Sequence, residues 1–296
     1  MAVDGWALWS VAIKFLGLLA MAGVVGGSFV HLLADRLQFP QFPQLRCYLL
    51  ASGALGLLMT PFAFLLQVGG INHNGMSGMF DGGISVILLS STLGEVLGLR
   101  LSAFALFLAA IWFLADATSR RYRHETGYLL CALSALLLCV SFAFTGHTTE
   151  LFMAAKMLLV LHVLAALLWT GALYPLWYLS GTAELVKVQK LMRGFGVLAV
   201  CMVVALVLAG IFLASQLLQN PGDLLTTSYG ITFMLKLGGV VVLLLLAALN
   251  KLRFVPRLQE EGVGSLQRSI RFEIAVALYV LAMTSWLTTA TGPVGA

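Results

Sequence analysis

Five histidines and two groups of methionines are the residues of this 296-residue chain whose types suit metal binding. Imidazole binds copper, zinc, nickel and haem iron while staying neutral enough for an apolar medium, and thioether sulfur is a soft ligand suited to Cu(I). His162 stands inside a long apolar stretch, where an ionisable side chain is a functional candidate, against the alternative of a hydrogen bond to a neighbouring helix. His147 closes the preceding apolar stretch in the run Thr145-Gly146-His147-Thr148-Thr149-Glu150. His73, Met76 and Met79 share the segment Asn72-His73-Asn74-Gly75-Met76-Ser77-Gly78-Met79, a Gly-rich polar stretch with no packing use for methionine. Met153 and Met157, at i and i+4, form a second group for which core or lipid packing is the plainer account. On a helix they point about 180° and about 140° away from His162, an outer stop rather than part of one ligand set. His124 sits among arginines and reads as solvated, and His31 lies where an interfacial role competes with a ligand role.

Four cations sit inside apolar stretches: Lys14, Arg100, Lys156 and Lys236. Charge in hydrocarbon costs at least about 2.5 kcal/mol per residue on the insertion scale, so each needs a reason. One is snorkelling to the outer interface, with pairing to Asp4, Glu95, Glu150 or Asp223. The other is a ring of positive charge under an outer vestibule, which attracts anions and obliges a cation to bring its own ligands. The depth of His162 follows from where the membrane starts: about 9 Å if near Lys156 and about 18 Å if near Glu150, and only the shallower case lets His147 and His162 chelate one ion.

The elements that must hold these residues are transmembrane helices. With 60% hydrophobic and 10% charged residues and a mean hydropathy of +0.99, the chain has lipid as its main solvent, and no soluble domain is left over. A bilayer core needs about 20 apolar residues per helix, and eight stretches qualify, near 9–33, 48–69, 96–115, 127–146, 153–179, 194–218, 231–249 and 272–290. Every other Lys or Arg falls in one of four loops, 34–47, 116–126, 180–193 and 250–271. The positive-inside rule turns those loops to the cytoplasm and both termini, with loops 70–95, 147–152 and 219–230, to the periplasmic side. The expectation is an all-α, polytopic bundle of eight spans forming one membrane domain over 1–296, with spans 1–3 in 1–126 and spans 4–8 in 127–296. Met1 to Gly5 carries no positive region, so the first helix reads as retained.

The same pattern excludes several classes. A sequence pI near 9.2 suggests polyanion binding, but the basic residues are divided among loops that also carry acids, so no nucleic-acid partner is expected. Phosphate loops, nucleophile elbows, HExxH and paired intramembrane carboxylates are all missing from the sequence, so neither nucleotide binding nor enzymatic catalysis is expected. Cys47, Cys131, Cys139 and Cys201 form no CxxC pair and read as small packing residues. Gly23 and Gly27 in span 1, and Gly53 and Gly56 in span 2, signal close helix packing.

From Gly146 to Pro293 the chain resembles the copper resistance D (CopD) family of bacterial inner-membrane proteins. The resemblance rests on four blocks: Gly146-His147; Leu161-His162 with Trp169-Thr170-Gly171-Ala172-Leu173 and Pro175; Leu225-x-Thr227-x-Tyr229-Gly230 with Lys236; and Ala248-x-Asn250 with Pro256. Ala172 stands where the family has a second Gly, and Arg193-Gly194-Phe195-Gly196 departs from its Arg-Phe-Ser. Spans 1–3 resemble the family in layout more than in motif. The resemblance implies eight spans, copper as the ion handled, movement from the periplasm inward, and a periplasmic CopC-type copper carrier as partner beside the lipid bilayer. It implies structural roles for Gly146, Trp169, Gly171, Pro175, Tyr229, Gly230, Asn250 and Pro256. The expected route hands copper to His147, assisted by His73, Met76, Met79, Met153 and Met157, and passes it through His162. Two other readings stand beside this one: a b-type haem carrier or metalloreductase, which needs two histidines at one depth, and a non-transporting partner that docks the copper carrier.

Overall fold

The computed structural model describes residues 5–40, 42–72, 75–114, 121–145, 151–182, 184–217 and 223–290, with side chains at all of these but 121–123, 215–217 and 223. Its helices are α1 (Gly5–Arg36), α2 (Pro43–Asn72), α3 (Gly75–Gly78), α4 (Gly82–Leu89), α5 (Thr92–Leu114), α6 (Arg121–Val140), α7 (Met153–Thr182), α8 (Leu185–Leu217), α9 (Asp223–Thr226), α10 (Ser228–Leu249), α11 (Leu258–Glu261) and α12 (Gly264–Leu287). A 3-10 turn, Ser141–Phe144, follows α6, and a π-helical turn, Asn250–Phe254, follows α10. No strand occurs among the described residues. Eight helices, α1, α2, α5, α6, α7, α8, α10 and α12, are long and apolar enough to cross a membrane, as the sequence predicts.

The boundaries differ where charge was read as loop. α8 begins at Leu185, so Lys187, Lys190 and Arg193 lie on its first turns, and α12 begins at Gly264, taking in Arg268 and Arg271. Lys and Arg are good helix formers, and a helix runs past the hydrocarbon wherever its basic residues stay wet. The segment 70–95 is not an open loop either: it holds α3, α4 and the start of α5. Asp81 caps α4 by accepting from the Ile84 N–H at 2.8 Å and receives Asn72 Nδ2 at 3.1 Å.

α1 is the central helix. From Ala20 to Ser28 every residue is buried, the signature of a helix with neighbours all round. It packs on α2 and α7 along most of its length and touches α6 and α12. Small residues set these contacts. A methyl group at Gly26 would overlap the backbone at Leu168, Gly171 and Ala172 of α7, and one at Gly171 would overlap the Ala22 carbonyl. The two backbones therefore cross in direct contact. Gly23 and Gly27 seat Ser52, Leu49 and Tyr48 of α2, while Gly53 and Gly56 seat Leu108, Phe107 and Phe104 of α5, as their spacing predicts.

Two apolar clusters result. One joins α1, α2, α5 and α6 around Phe104, Phe107 and Leu138; the other joins α7, α8, α10 and α12 around Leu173, Leu179, Leu191 and Leu266. Leu168 of α7 packs against both. α8 has extensive contact with α7 alone. Only 11% of its most apolar stretch is buried against 44% for α1, so α8 is a rim helix presented to lipid.

Candidate metal centre

His162 occupies α7 nine residues before Gly171, on the side of the crossing away from the basic loops. Its ring faces α8 at Gly210, where a Cβ would stand 3.5 Å from Cε1 and 3.9 Å from Nδ1. Glycine makes a notch there in an otherwise apolar helix wall. The Leu206 carbonyl, one turn earlier on α8, acts on the ring, and Lys236 of α10 acts on it electrostatically. Nδ1 is nonetheless buried and makes no hydrogen bond of normal geometry. A buried polar atom without a partner costs about 1–3 kcal/mol, so this nitrogen is held at a cost.

The other candidate ligands do not surround it. Met153 and Met157 are 73% and 67% exposed, on a different face of α7 from the ring, as the helical angles predict. Met76 is 73% exposed on α3, and Met79 packs beside Gly69 of α2 near Trp6 of α1. Gly146, His147 and His73 lie outside the described residues. Among the described residues no group of three or more His, Cys, Asp or Glu side chains is placed to hold a metal ion.

Two of the four cations, Lys14 and Arg100, have specific partners. Lys14 Nζ donates to the Thr288 carbonyl at 3.1 Å. Arg100 Nε donates to Ser141 Oγ at 2.9 Å, and its guanidinium sits 5.1 Å from the centre of the Phe142 ring. Lys14 and Arg100 are close enough to act on each other, so two positive charges from α1 and α5 converge. Lys156 and Lys236 are half-buried on α7 and α10.

A second histidine group gathers at the basic end, where sequence reading placed one solvated and one interfacial residue. His31 Nδ1 lies 3.1 Å from the Tyr128 hydroxyl, and His124 Nδ1 is 4.0 Å from Asp35 Oδ2. His31 and Asp35 are i,i+4 on α1, and His124 and Tyr128 are i,i+4 on α6, so the two helices face each other through two rungs. His31 lies nine residues beyond Ala22 and His162 nine residues before Gly171, which separates them by about 27 Å along the bundle. They cannot be the two axial ligands of one haem.

The remaining described motif residues lie on α7, on α10 and its cap, and at the turn that follows α10. Trp169, Gly171 and Pro175 are buried in α7. Thr227 caps α10 by accepting from the Gly230 N–H at 3.0 Å, and Tyr229 stacks on Phe233. Asn250 opens the π turn, and Pro256 is exposed just after it.

The family model for the copper resistance protein D-like N-terminal domain matches residues 4–151, and the model for copper resistance protein D matches residues 189–287. The chain belongs to the copper resistance protein D family. This CopD protein is therefore a multi-pass membrane protein of copper resistance and copper handling, consistent with an inner-membrane location. The N-terminal match gives spans 1–3 a family identity that their motifs alone lack. The stretch 152–188, with His162, Trp169, Gly171 and Pro175, lies between the two matches. No curated protein and no solved structure matches the chain.

Proposed function

We propose that this CopD protein moves copper across the inner membrane from the periplasm toward the cytoplasm, using His162 as the ligand within the bilayer. The supporting observation is the His162 ring: its Nδ1 is buried, makes no hydrogen bond of normal geometry, has the Leu206 carbonyl nearby and faces a glycine notch. A neutral imidazole presents a lone pair there without carrying charge into hydrocarbon, and copper accepts it. One buried ligand gives a stepping point, whereas a resident site needs three or four. The exposed Met76, Met153 and Met157, with His73 and His147, supply the donors for capture at the outer face, from a CopC-type carrier or from solution. Lys14, Arg100 and Lys236 raise the potential along the route, so copper enters with ligands attached and leaves His162 readily.

The test is copper flux into proteoliposomes, for Cu(I) and Cu(II), comparing the wild-type protein with His162→Ala. Loss of flux at equal reconstitution supports the route. Flux equal to wild type removes His162 from it.

A further inference from the structure

Glu273 is the one acid buried in a spanning helix among the described residues, with 4% of its surface exposed. It is absent from the metal route and lies at the other end of the bundle, on α12, nine residues from the start of that helix. Asn250 Nδ2 donates to Glu273 Oε2 at 2.9 Å, joining the π turn after α10 to α12. Asn250 is itself 9% exposed, and its Oδ1 is buried with no hydrogen-bond partner. Ser269, one turn before Glu273 on the same face of α12, also has a buried hydroxyl oxygen without a partner. The π turn that delivers Asn250 is closed by the Val255 N–H donating to the Asn250 carbonyl at 2.9 Å, and π turns inside long helices recur at functional sites.

A structural link between two helices would fill these atoms. Here the donor end of an amide is engaged and its acceptor end is empty. An ionised Glu273 accepts a hydrogen bond from Nδ2, and a protonated Glu273 needs an acceptor for its own O–H, which Oδ1 supplies when the amide turns over. Ser269 Oγ, one turn away and not bonded to Glu273, is a group able to donate to the carboxylate or accept from the acid after a turn of its side chain.

The other charges on α12 and on the elements packed against it are engaged, exposed or far from Glu273; Lys14 of α1, for one, is engaged by the Thr288 carbonyl at the far end of α12. On α12 itself, Arg268 and Arg271 are exposed. On the π turn, Arg253 is exposed and Lys251 Nζ donates to the Gly196 carbonyl at 3.1 Å. On α11, Glu261 pairs with Arg257 at 3.4 Å and Glu260 is exposed. α1 brings Asp35 and Arg36 at its exposed end, and its His31 is held by Tyr128. α7 brings Tyr174, packed on Tyr48, and Tyr178, packed on Phe42, while His162 lies beyond the α1/α7 crossing. α10 brings Lys236, fourteen residues and about 21 Å from Asn250. Asn250 is the side chain that acts on Glu273.

We propose that Glu273, with Asn250 and Ser269, is a proton-carrying station that couples proton movement to copper movement; this rests on the copper-carrier reading above. A proton from water adds to the carboxylate, the acid's O–H bonds to Asn250 Oδ1 as Nδ2 is released, and loss of the proton to water reverses both changes. An intramembrane carboxyl with a named partner is the usual form of such a station.

The experiment pairs infrared difference spectra between about pH 5 and 9 with proton uptake measured during copper flux, in proteoliposomes of the full chain. Glu273→Gln is the decisive variant, because Gln accepts from Nδ2 and donates to Oδ1 together and so keeps the helix link. The expected result is a protonated-carboxyl band that disappears as pH rises in wild type and is absent in E273Q, with copper-linked proton uptake lost in E273Q and its melting temperature not lowered. A band unchanged in E273Q, a Glu273 band that does not vary with pH, or proton uptake equal to wild type in E273Q overturns the proposal. Absence of copper flux in wild type overturns the carrier reading instead, and the infrared result then stands as the test of Glu273 alone.

Discussion

The backbone of α7 at Gly171 lies against the carbonyl of Ala22 on α1, with no side chain between them. This contact marks the centre of the bundle and separates a half holding His162 from the half with the basic loops, which holds His31 and Glu273. Every proposed step depends on that division.

Gly171→Val should be the most damaging single change of this set. Its Cβ would overlap backbone atoms, which cannot move aside as a flexible side chain can, and overpacking of this kind costs about 1–3 kcal/mol or more. A large fall in melting temperature in detergent, with low membrane abundance, is expected; stability within about 0.5 kcal/mol of wild type would show that the crossing is loose.

Gly210 separates sterics from folding at the metal notch. Gly210→Ala meets only ordinary contact with the His162 ring and should leave copper flux near wild type. Gly210→Leu fills the notch and should reduce flux at least about tenfold, with little change in stability because α8 faces lipid on its far side. Equal flux in the two variants would place copper elsewhere on α7.

Removing the charge nearest His162 should act in the opposite direction. Two unit charges about 10 Å apart at an effective dielectric of about 20 repel by roughly 1–2 kcal/mol. Lys236→Met is therefore expected to tighten copper binding about tenfold while slowing release, read as a lower apparent Kd and a lower maximal flux. Unchanged values for both would mean that Lys236 is neutralised in the membrane.

The cap on α10 offers a local stability test. Thr227→Ala removes the acceptor of the Gly230 N–H and should cost about 1 kcal/mol, seen as a modest fall in melting temperature. Thr227→Ser should restore most of it, and no loss in Thr227→Ala would mean that water caps the helix.

Spans were legible in the sequence because about 20 apolar residues in a row have few other uses. Helix ends were not: Lys187 and Arg193 on α8 look like a loop when charge alone is counted, yet they prolong a helix into water. The spacing of Gly23 and Gly27 revealed the α2 contact, but Gly26 between them makes the α7 contact, and only the partner helix discloses it. The isolation of Met153 and Met157 from His162 followed from helical angle. The pairing of His31 with Tyr128 and of His124 with Asp35 depends on α1 lying beside α6, which no local signal encodes. Glu273 escaped notice because it follows Arg271 at the edge of an apolar run, where a lone acid reads as an interfacial residue.

α8 is tied near its start by Gln189 to the Val255 and Pro256 carbonyls and by Lys251 to the Gly196 carbonyl, but beyond that it packs extensively on α7 alone, and helices adjust tilt to bilayer thickness at fractions of a kcal/mol per ångström. The wall facing His162 therefore responds to membrane composition: a thinner bilayer tips Gly210 along the imidazole and a thicker one draws it upright. On the copper-carrier reading, lipid chain length then acts on the route through the helix wall that faces His162.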